Sequence, residues 1–208
     1  MRYPIKLTPI NEDLSIYIPD YEKVREIYES ILKENSNQDF PYWAKLWPSS
    51  LALVQFFKTN TGLIKDKTVL EIGAGIGLPS FLIAGIAKSI QVSDYAPDAV
   101  ALLNKNIQHL GLQNVHAAEI DWNNIPKGIK LEVLILSDVN YNPDEFEPLL
   151  ALIKELVEVG TLVILSTPQR IMASPFVNAI QDFIHHSQVE LVNENEKSIE
   201  ISILVLKK

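Results

Sequence analysis

VLEIGAGIGLP, residues 69–79, is the stretch of sequence that decides the fold. A short apolar run, typical of a buried strand, leads into an acid and three glycines at every second position. Glycines in such a turn allow the backbone to come close to a ligand, because a Cβ would block the approach. The G-x-G-x-x-G spacing of a dinucleotide site is not met, since position 78 is leucine, and the Gly-Lys-Ser/Thr ending of a phosphate-binding loop is missing. What remains is an E-x-G-x-G-x-G pattern at the end of a strand.

Downstream of this turn the chain alternates between strand and helix patterns. Strands are predicted at 68–72, 89–94, 114–119, 131–137 and 160–166. Helices are predicted between them, including 97–110, 144–159 and one that begins at Ser174-Pro175. Two further β-rich runs, 187–193 and 199–206, are joined by a connection that is short enough only for an antiparallel pair. The pattern predicts an α/β fold with a mostly parallel sheet and one antiparallel strand near its edge.

Upstream of the turn the pattern is less regular. Residues 5–8 and 14–18 are predicted to form a hairpin and residues 21–34 a helix. A polar break at 35–39 is followed by PYWAKLWPSS, residues 41–50, which leads into a helix through Phe57. We therefore expect an N-terminal extension of residues 1–40, a hairpin and a helix packed on the core, and one main domain of residues 41–208.

The bulk composition excludes several classes of function. The 208 residues contain no cysteine, which rules out disulfides, zinc–thiolate sites and thiol nucleophiles. The net charge of −8 argues against broad nucleic-acid binding, and it suits a basic substrate as well as it suits simple solubility. No apolar run reaches membrane-spanning length and the first residues show no apolar signal region, so we expect a cytoplasmic location without membrane contact. The oligomeric state is not predicted.

Acidic and aromatic residues follow the predicted parallel strands. Asp94 ends the second strand, where a carboxylate can accept two hydrogen bonds from a ribose diol. Asp121 and Trp122 follow the third strand and could border an adenine ring, since the indole offers a flat face. Asp138 and Tyr141 follow the fourth strand, where a sheet of this kind presents its reactive centre. The carboxyl ends of parallel strands meet at one edge of the sheet, so we expect these residues to share one site.

These motifs resemble those of the class I S-adenosylmethionine (SAM) methyltransferases. The glycine pattern is similar to their motif I. The D-x-x-Y element at 138–141, the Leu46-Trp47-Pro48-Ser49 segment and the Asp121-Trp122 pair resemble the branch of small non-histone protein-lysine methyltransferases, over roughly residues 40–170. The resemblance implies a Rossmann-like, seven-stranded, mostly parallel sheet with an antiparallel C-terminal strand and helices on both faces.

The resemblance also assigns residues to roles. The residues implied to bind SAM, or its product S-adenosylhomocysteine (SAH), are Trp47, Glu71, Gly73, Gly75, Gly77, Asp94, Asp121, Trp122 and Ser137. Asp138 and Tyr141 are implied to be catalytic: Asp138 would orient the acceptor amine and balance the positive charge that forms on it, and Tyr141 would wall the methyl pocket. The four histidines show no ligand spacing, so no metal site is predicted.

The prediction for function is SAM-dependent N-methylation, foremost of a lysine side chain on a protein substrate. Methylation of a small-molecule amine would use the same core and stays open. A SAM-binding protein without turnover is a further alternative, disfavoured by the full set of acids at the strand ends. A nicotinamide-dependent oxidoreductase is disfavoured by the spacing of the glycines.

Overall fold

The computed structural model describes residues 2–34, 39–125, 131–169, 171–194 and 197–208. The strands are β1 Ile5–Pro9, β2 Ser15–Pro19, β3 Thr68–Ile72, β4 Ser89–Asp94, β5 Val115–Glu119, β6 Val133–Ser137, β7 Leu162–Pro168, β8 Ile184–Glu194 and β9 Lys197–Leu206. The α-helices are α1 Tyr21–Glu34, α2 Pro48–Thr59, α3 Leu78–Ile83, α4 Pro97–Leu110, α5 Phe146–Glu158 and α6 Ser174–Ala179.

In the described part of the chain, seven strands form one sheet in the order β5-β4-β3-β6-β7-β9-β8. The pairs from β5 to β7 are parallel, and β9 runs antiparallel to both of its neighbours. The predicted sheet, mostly parallel with an antiparallel C-terminal strand, is confirmed. The chain runs outward from β3 to β5 and then resumes at β6 on the other side of β3. Open α/β sheets bind ligands at the carboxyl ends of the strands beside such a reversal, here above β3 and β6.

Helices cover both faces of this sheet. Val133 and Ile135 of β6 pack into a cluster with the apolar residues of α2, α3 and α4. Leu134 and Leu136 point the other way and pack with those of α5 and α6. Because side chains alternate along a strand, a run that is buried at every position must be covered on both sides.

The hairpin β1–β2 packs against α4 through a buried asparagine. Asn106 of α4 is fully buried. The backbone nitrogen of Tyr17 donates to Asn106 Oδ1 at 2.7 Å, and Asn106 Nδ2 donates to the Tyr17 carbonyl at 3.0 Å. The division into residues 1–40 and 41–208 stays a prediction, and residues 35–38 near that boundary lie outside the described residues.

Most predicted element bounds agree with the structure to within two or three residues. Helix α4 has the predicted bounds, and Gly111 after it has a φ of +64°. Strand β7 begins two residues later than predicted because Gly160, with a φ of +93°, still belongs to the turn after α5. Helix α5 begins two residues late because Pro143–Glu145 form a separate 3-10 turn. None of the described helices is long and apolar enough to cross a bilayer.

Candidate active site

The glycine turn leaves β3 in a left-handed conformation. Gly73, Gly75 and Gly77 have φ values of +64°, +54° and +80°, which residues with a Cβ rarely adopt. A Cβ on Gly75 would lie 2.9 Å from the Trp43 carbonyl oxygen, and one on Gly77 would lie 2.4 Å from Leu103 Cδ2. Backbone geometry and packing inside the protein therefore account for two of the glycines that the sequence argument assigned to a ligand.

Gly73 lies between two side chains that line the cleft. A Cβ there would lie 3.1 Å from Val139 Cγ1 and 3.3 Å from Trp122 Cζ3, and all three residues line the same cleft. A side chain at position 73 would fill the gap between these two walls. The cleft therefore needs glycine at this position to stay open to a ligand.

Asp94 ties the glycine turn to the end of β4. Its carboxylate is buried, with Oδ2 accepting from the Gly75 nitrogen at 2.9 Å and Oδ1 accepting from the Ala96 nitrogen at 3.0 Å. Burial raises the pKa of this carboxyl, and the backbone hydrogen bonds oppose that rise. Each carboxylate oxygen can accept more than one hydrogen bond, so the group can still accept from the hydroxyls of a ligand.

Glu71 lies beneath the turn rather than in the cleft. It is fully buried, and its Oε2 accepts hydrogen bonds from both the backbone nitrogen and the hydroxyl of Ser80, while Oε1 has no hydrogen-bond partner among the described residues. Burial raises the pKa of Glu71 to about 7. Glu71 is not among the residues that line either cavity of the cleft, so its implied role in binding the cofactor stays a prediction. Its contacts attach α3 to β3.

The turn after β5 forms the wall opposite Asp94. Asp121 is exposed, and its Oδ1 accepts from the backbone nitrogen of Asn123 at 2.9 Å. Trp122 is half-buried, and its Nε1 donates to Glu145 Oε2 at 2.8 Å. This bond links the turn after β5 to the turn after β6.

The segment after β6 presents Asp138 in a conformation that is unusual for a residue with a side chain. Asp138 has a φ of +54° and is buried, and its backbone nitrogen donates to the Ser166 carbonyl at 2.9 Å. Such backbone outliers cluster at functional sites. Tyr141 is about one third exposed, and burial raises its pKa to about 12, so its hydroxyl stays protonated at neutral pH.

The segment before α2 closes the cleft from the other side. Trp47 Nε1 donates to the Tyr42 carbonyl at 2.9 Å, and the Tyr42 and Tyr141 ring centroids are 5.4 Å apart. Lys45 lies over the Trp47 ring, with Nζ 4.4 Å from its centroid. Tyr42 and Lys45 were not singled out by the sequence reasoning, although both lie in the segment that it quoted.

Two adjoining cavities make up this cleft. The inner cavity, of about 70 Å³, lies between the glycine turn, the segment before α2 and the end of β6. The outer cavity, of about 450 Å³, lies between the turns after β5 and β6. They share Tyr42, Gly73, Tyr95, Trp122 and Tyr141. Together they reach the size of a small-molecule site, about 300–1,000 Å³.

The structure brings most of the predicted site residues together. Those that line the inner cavity are Trp47, Gly73, Gly75, Gly77, Asp94, Trp122, Ser137, Asp138 and Tyr141. Asp121 lines the outer cavity. Sequence reasoning missed Tyr95, which the strand-end rule could have found since it follows β4 directly. It also missed Glu145, for which the sequence carries no signal. Among the described residues, no group of three or more His, Asp or Glu side chains is placed to hold a metal ion.

The residues present fit a nucleoside with an amino-acid tail. A buried carboxylate suits ribose hydroxyls, the indole of Trp122 suits a flat base, and the glycine turn leaves room for a chain between them. A second carboxylate, Asp138, also lines the inner cavity. The sequence predicted that these strand-end residues share one site, and in the structure they line one cleft.

Comparison with known proteins shows the family of this chain. The family model described as lysine methyltransferase matches residues 29–184. A protein-lysine N-methyltransferase EFM3 from Chaetomium thermophilum is 31% identical over 142 residues, which are 61% of this chain and 42% of that one. The mouse histone-arginine methyltransferase METTL23 is 28% identical over 56% of this chain and 49% of its own length. The chain thus spans about half the length of these curated relatives.

A longer match is the protein N-terminal and lysine N-methyltransferase EFM7 from Yarrowia lipolytica, 29% identical over 77% of this chain and 69% of that one. Among solved structures, the N-methyltransferase NodS from Bradyrhizobium japonicum WM9 with SAH has a TM-score of 0.62 at 13% identity, over 87% of this chain and 98% of that one. A SAM-dependent methyltransferase from Aquifex aeolicus has a TM-score of 0.55 at 18% identity, over 78% and 100%. At these identities the structures show a shared fold. With residues 29–184 matched by the family model, the chain belongs to the lysine methyltransferase family.

Proposed function

We propose that this protein is a SAM-dependent N-methyltransferase whose acceptor is a nitrogen on a protein, foremost the amine of a lysine side chain. One observation carries the proposal: the buried Asp138, with its left-handed backbone, lies in the same cavity as Asp94 and the glycine turn. A nucleoside site and a carboxylate suited to an amine are thus brought together. The three curated relatives described above are named as protein methyltransferases, which favours a protein acceptor over a small molecule.

The cofactor supplies a methyl group activated by a sulfonium. The chain has to hold the acceptor nitrogen in line with that group, which can lower the barrier by about 7–11 kcal/mol. We assign Asp138 to orienting the amine and to balancing the positive charge that grows on nitrogen. The pKa of Tyr141, raised to about 12 by burial, keeps its hydroxyl a hydrogen-bond donor at neutral pH, so we assign it to positioning the acceptor.

A free lysine amine has a pKa of about 10.4 and must lose a proton before it can be methylated. Burial in the cleft favours the neutral amine, whereas the carboxylates around it favour the ammonium. Asp39, Asp121 and Glu145 line the outer cavity. We infer that the acceptor enters as an ammonium through this acidic mouth. Burial and the positive sulfonium of the bound cofactor then lower the pKa of the amine, and its proton passes to solvent water before methyl transfer.

The experiment is labelling of cell lysate with the protein and isotopically labelled SAM, followed by mass spectrometry of proteins and of metabolites. We expect label on lysine side chains of one or a few proteins. Label on arginine would shift the acceptor to the chemistry named for METTL23. Label confined to small metabolites would reject the protein acceptor. The Asp138→Asn variant is the control for background labelling. The cytoplasmic location remains a prediction from the sequence.

A further inference from the structure

The charges along the wall of the cleft are distributed unevenly. Asp94 and Asp138 place two carboxylates in the inner cavity, and the outer cavity adds three more. Among the described residues that line either cavity, Lys45 is the one that carries a positive charge. It lies on the segment before α2. The inner cavity is therefore acidic at the strand ends and basic on the side of α2.

Lys45 is held in place by two neighbours. Its Nζ lies 4.4 Å from the centroid of the Trp47 ring and 2.9 Å from Glu194 Oε1, near the end of β8. About one quarter of its side chain is exposed. The Trp47 ring is itself fixed by its bond to the Tyr42 carbonyl. An ammonium has three donors, so a lysine bonded to Glu194 can still donate to a second anion.

The N-terminus of α2 adds positive potential to the same wall. Trp47 is its N-cap, with no side-chain cap bond, and Pro48 follows at the first helical position. Ser50 of its first turn lines the inner cavity. A helix of 12 residues carries a partial positive charge at this end, which favours an anion nearby.

We propose that Lys45 binds the α-carboxylate of the cofactor's amino-acid tail, with Glu194 and Trp47 holding the ammonium at the cavity wall. The inference rests on the proposed function, because it assigns one subsite of the same cofactor. An amino-acid tail carries both charges, and an inner cavity lined by carboxylates at the strand ends and by Lys45 on the segment before α2 matches both. Lys45 then selects for a ligand that bears a carboxylate. This role is additional to its ion pair with Glu194, which connects the segment before α2 to the β8–β9 hairpin.

The test compares two ligands that differ by the amino-acid tail. SAH carries the whole amino-acid tail, and 5′-methylthioadenosine has the same nucleoside and sulfur without it. Titration calorimetry would give the affinity of each for the natural protein and for Lys45→Met. We expect Lys45→Met to weaken SAH binding at least about tenfold, as for the loss of a charged hydrogen bond. Its binding of 5′-methylthioadenosine should change by less than about twofold.

Three further variants make the outcome decisive. Lys45→Arg keeps the charge and should retain most of the preference for SAH. Lys105→Met is the matched control, because Lys105 also lies over an aromatic ring, that of Tyr17, but does not line either cavity. Glu194→Gln breaks the ion pair but leaves the ammonium and the Trp47 ring in place, so it should weaken the preference for SAH much less than Lys45→Met does.

An equal loss for both ligands in Lys45→Met, or no loss for either, would overturn the proposal. A Glu194→Gln variant that loses the preference as fully as Lys45→Met would assign the effect to the ion pair and would also overturn it. If the natural protein binds neither ligand, the proposed function itself fails, which is a different result from unchanged SAH binding in Lys45→Met.

Discussion

At the scale of single residues, Asp138 combines two properties that are seldom found together. It is buried, and it is one of two non-glycine residues in the described chain with a positive φ, the other being Asp66 at +59°. Asp66 is exposed and does not line the cleft. Asparagine tolerates the left-handed conformation as aspartate does, so an Asp→Asn change removes the charge with little backbone cost. The same change at Asp138 and at Asp66 therefore gives a matched test of what the Asp138 carboxylate does.

We expect Asp138→Asn to lower turnover by about 10²- to 10³-fold, the usual effect of losing one electrostatic contact in a transition state. SAH binding should change by less than about threefold. Single-turnover rates and calorimetry would measure the two effects separately. Asp66→Asn should leave both unchanged. Full turnover in Asp138→Asn would show that the carboxylate has no part in the reaction.

The glycines allow an ordered prediction for stability. Gly62 has no positive φ and open space around it, Gly111 has a φ of +64° with open space, and Gly75 has a φ of +54° with the Trp43 carbonyl in the way. We expect Gly62→Ala to be close to neutral or slightly stabilising. Gly111→Ala should cost about 1–2 kcal/mol for the left-handed backbone alone. Gly75→Ala should cost more than Gly111→Ala, because it adds the clash.

Urea denaturation of the three variants would measure these differences. If Gly75→Ala lowered the free energy of unfolding no more than Gly111→Ala does, the backbone at Trp43 would have to move away from the new Cβ at no energetic cost. That result would remove the packing reason given above for this glycine.

At this scale the sequence predicted which residues would line the cleft better than it predicted the contacts that each side chain makes. Asp94, Trp122 and Asp138 were found because each follows a parallel strand, and topology gathers strand ends at one edge. Glu71 shows the limit of that rule. The side chain of a strand's penultimate residue can point into the core, and only the packing of α3 decides that it does so here.

At the scale of secondary-structure elements, Glu71 is the contact between β3 and α3, and its pKa makes that contact depend on pH. Burial raises the pKa from 4.5 to about 7, so the folded protein holds the proton more tightly than the unfolded chain does. The stabilisation is fully present below pH 4.5 and is lost as the pH rises through 7. At about 1.36 kcal/mol per pKa unit the change is on the order of 3 kcal/mol.

Glu71→Gln removes this titration and keeps the shape of the side chain. We expect the free energy of unfolding of the natural protein, relative to the variant, to fall between pH 4.5 and 7 and to stay flat above pH 7. Urea denaturation at pH 5, 6, 7 and 8 would measure it. A constant difference across this range would show that Glu71 titrates normally.

The contact between the N-terminal hairpin and α4 depends on Asn106. Asn106→Ala would remove the partner of the backbone nitrogen and carbonyl of Tyr17 in a part-buried place, at a cost of about 1–3 kcal/mol. Asn104→Ala is the control, since Asn104 is exposed on the same helix and bonds only within it. Denaturation of both variants would test this. Equal costs would mean that the hairpin does not need the two bonds to Asn106.

Element bounds were predictable where a local signal marks them. Helix α4 has a proline in its first turn and a left-handed glycine after its last residue, and both of its ends were placed correctly. The start of α5 was misplaced because a 3-10 turn and an α-helix share one apolar pattern. The length of β8 and β9 was underestimated, since an edge hairpin extends as far as its pairing allows rather than as far as its hydrophobic pattern.

At the scale of the whole molecule, the cleft is a consequence of strand order. The reversal beside β3 places the ends of β3, β4 and β6 around one opening, while the segment before α2 covers it. The alternation of strand and helix predicted the sheet, so it also predicted which residues would meet. The alternation could not predict that the segment before α2 covers the cleft. Tyr42 and Lys45 of this segment reach the cleft through aromatic contacts, which leave no periodic signal in the sequence.

A ligand that bridges all of these elements should stabilise the whole fold. Binding at 100 times its dissociation constant adds about 2.7 kcal/mol to the free energy of unfolding. For a domain of this size each kcal/mol raises Tm by about 2–4 °C, so saturating SAH should raise it by about 5–10 °C. NAD at the same concentration should leave Tm unchanged, because the glycine spacing does not fit a dinucleotide. Thermal denaturation with each ligand would measure this. A rise with NAD and none with SAH or SAM would mean that the cleft binds a different nucleotide and that the chain's cofactor has to be reassigned.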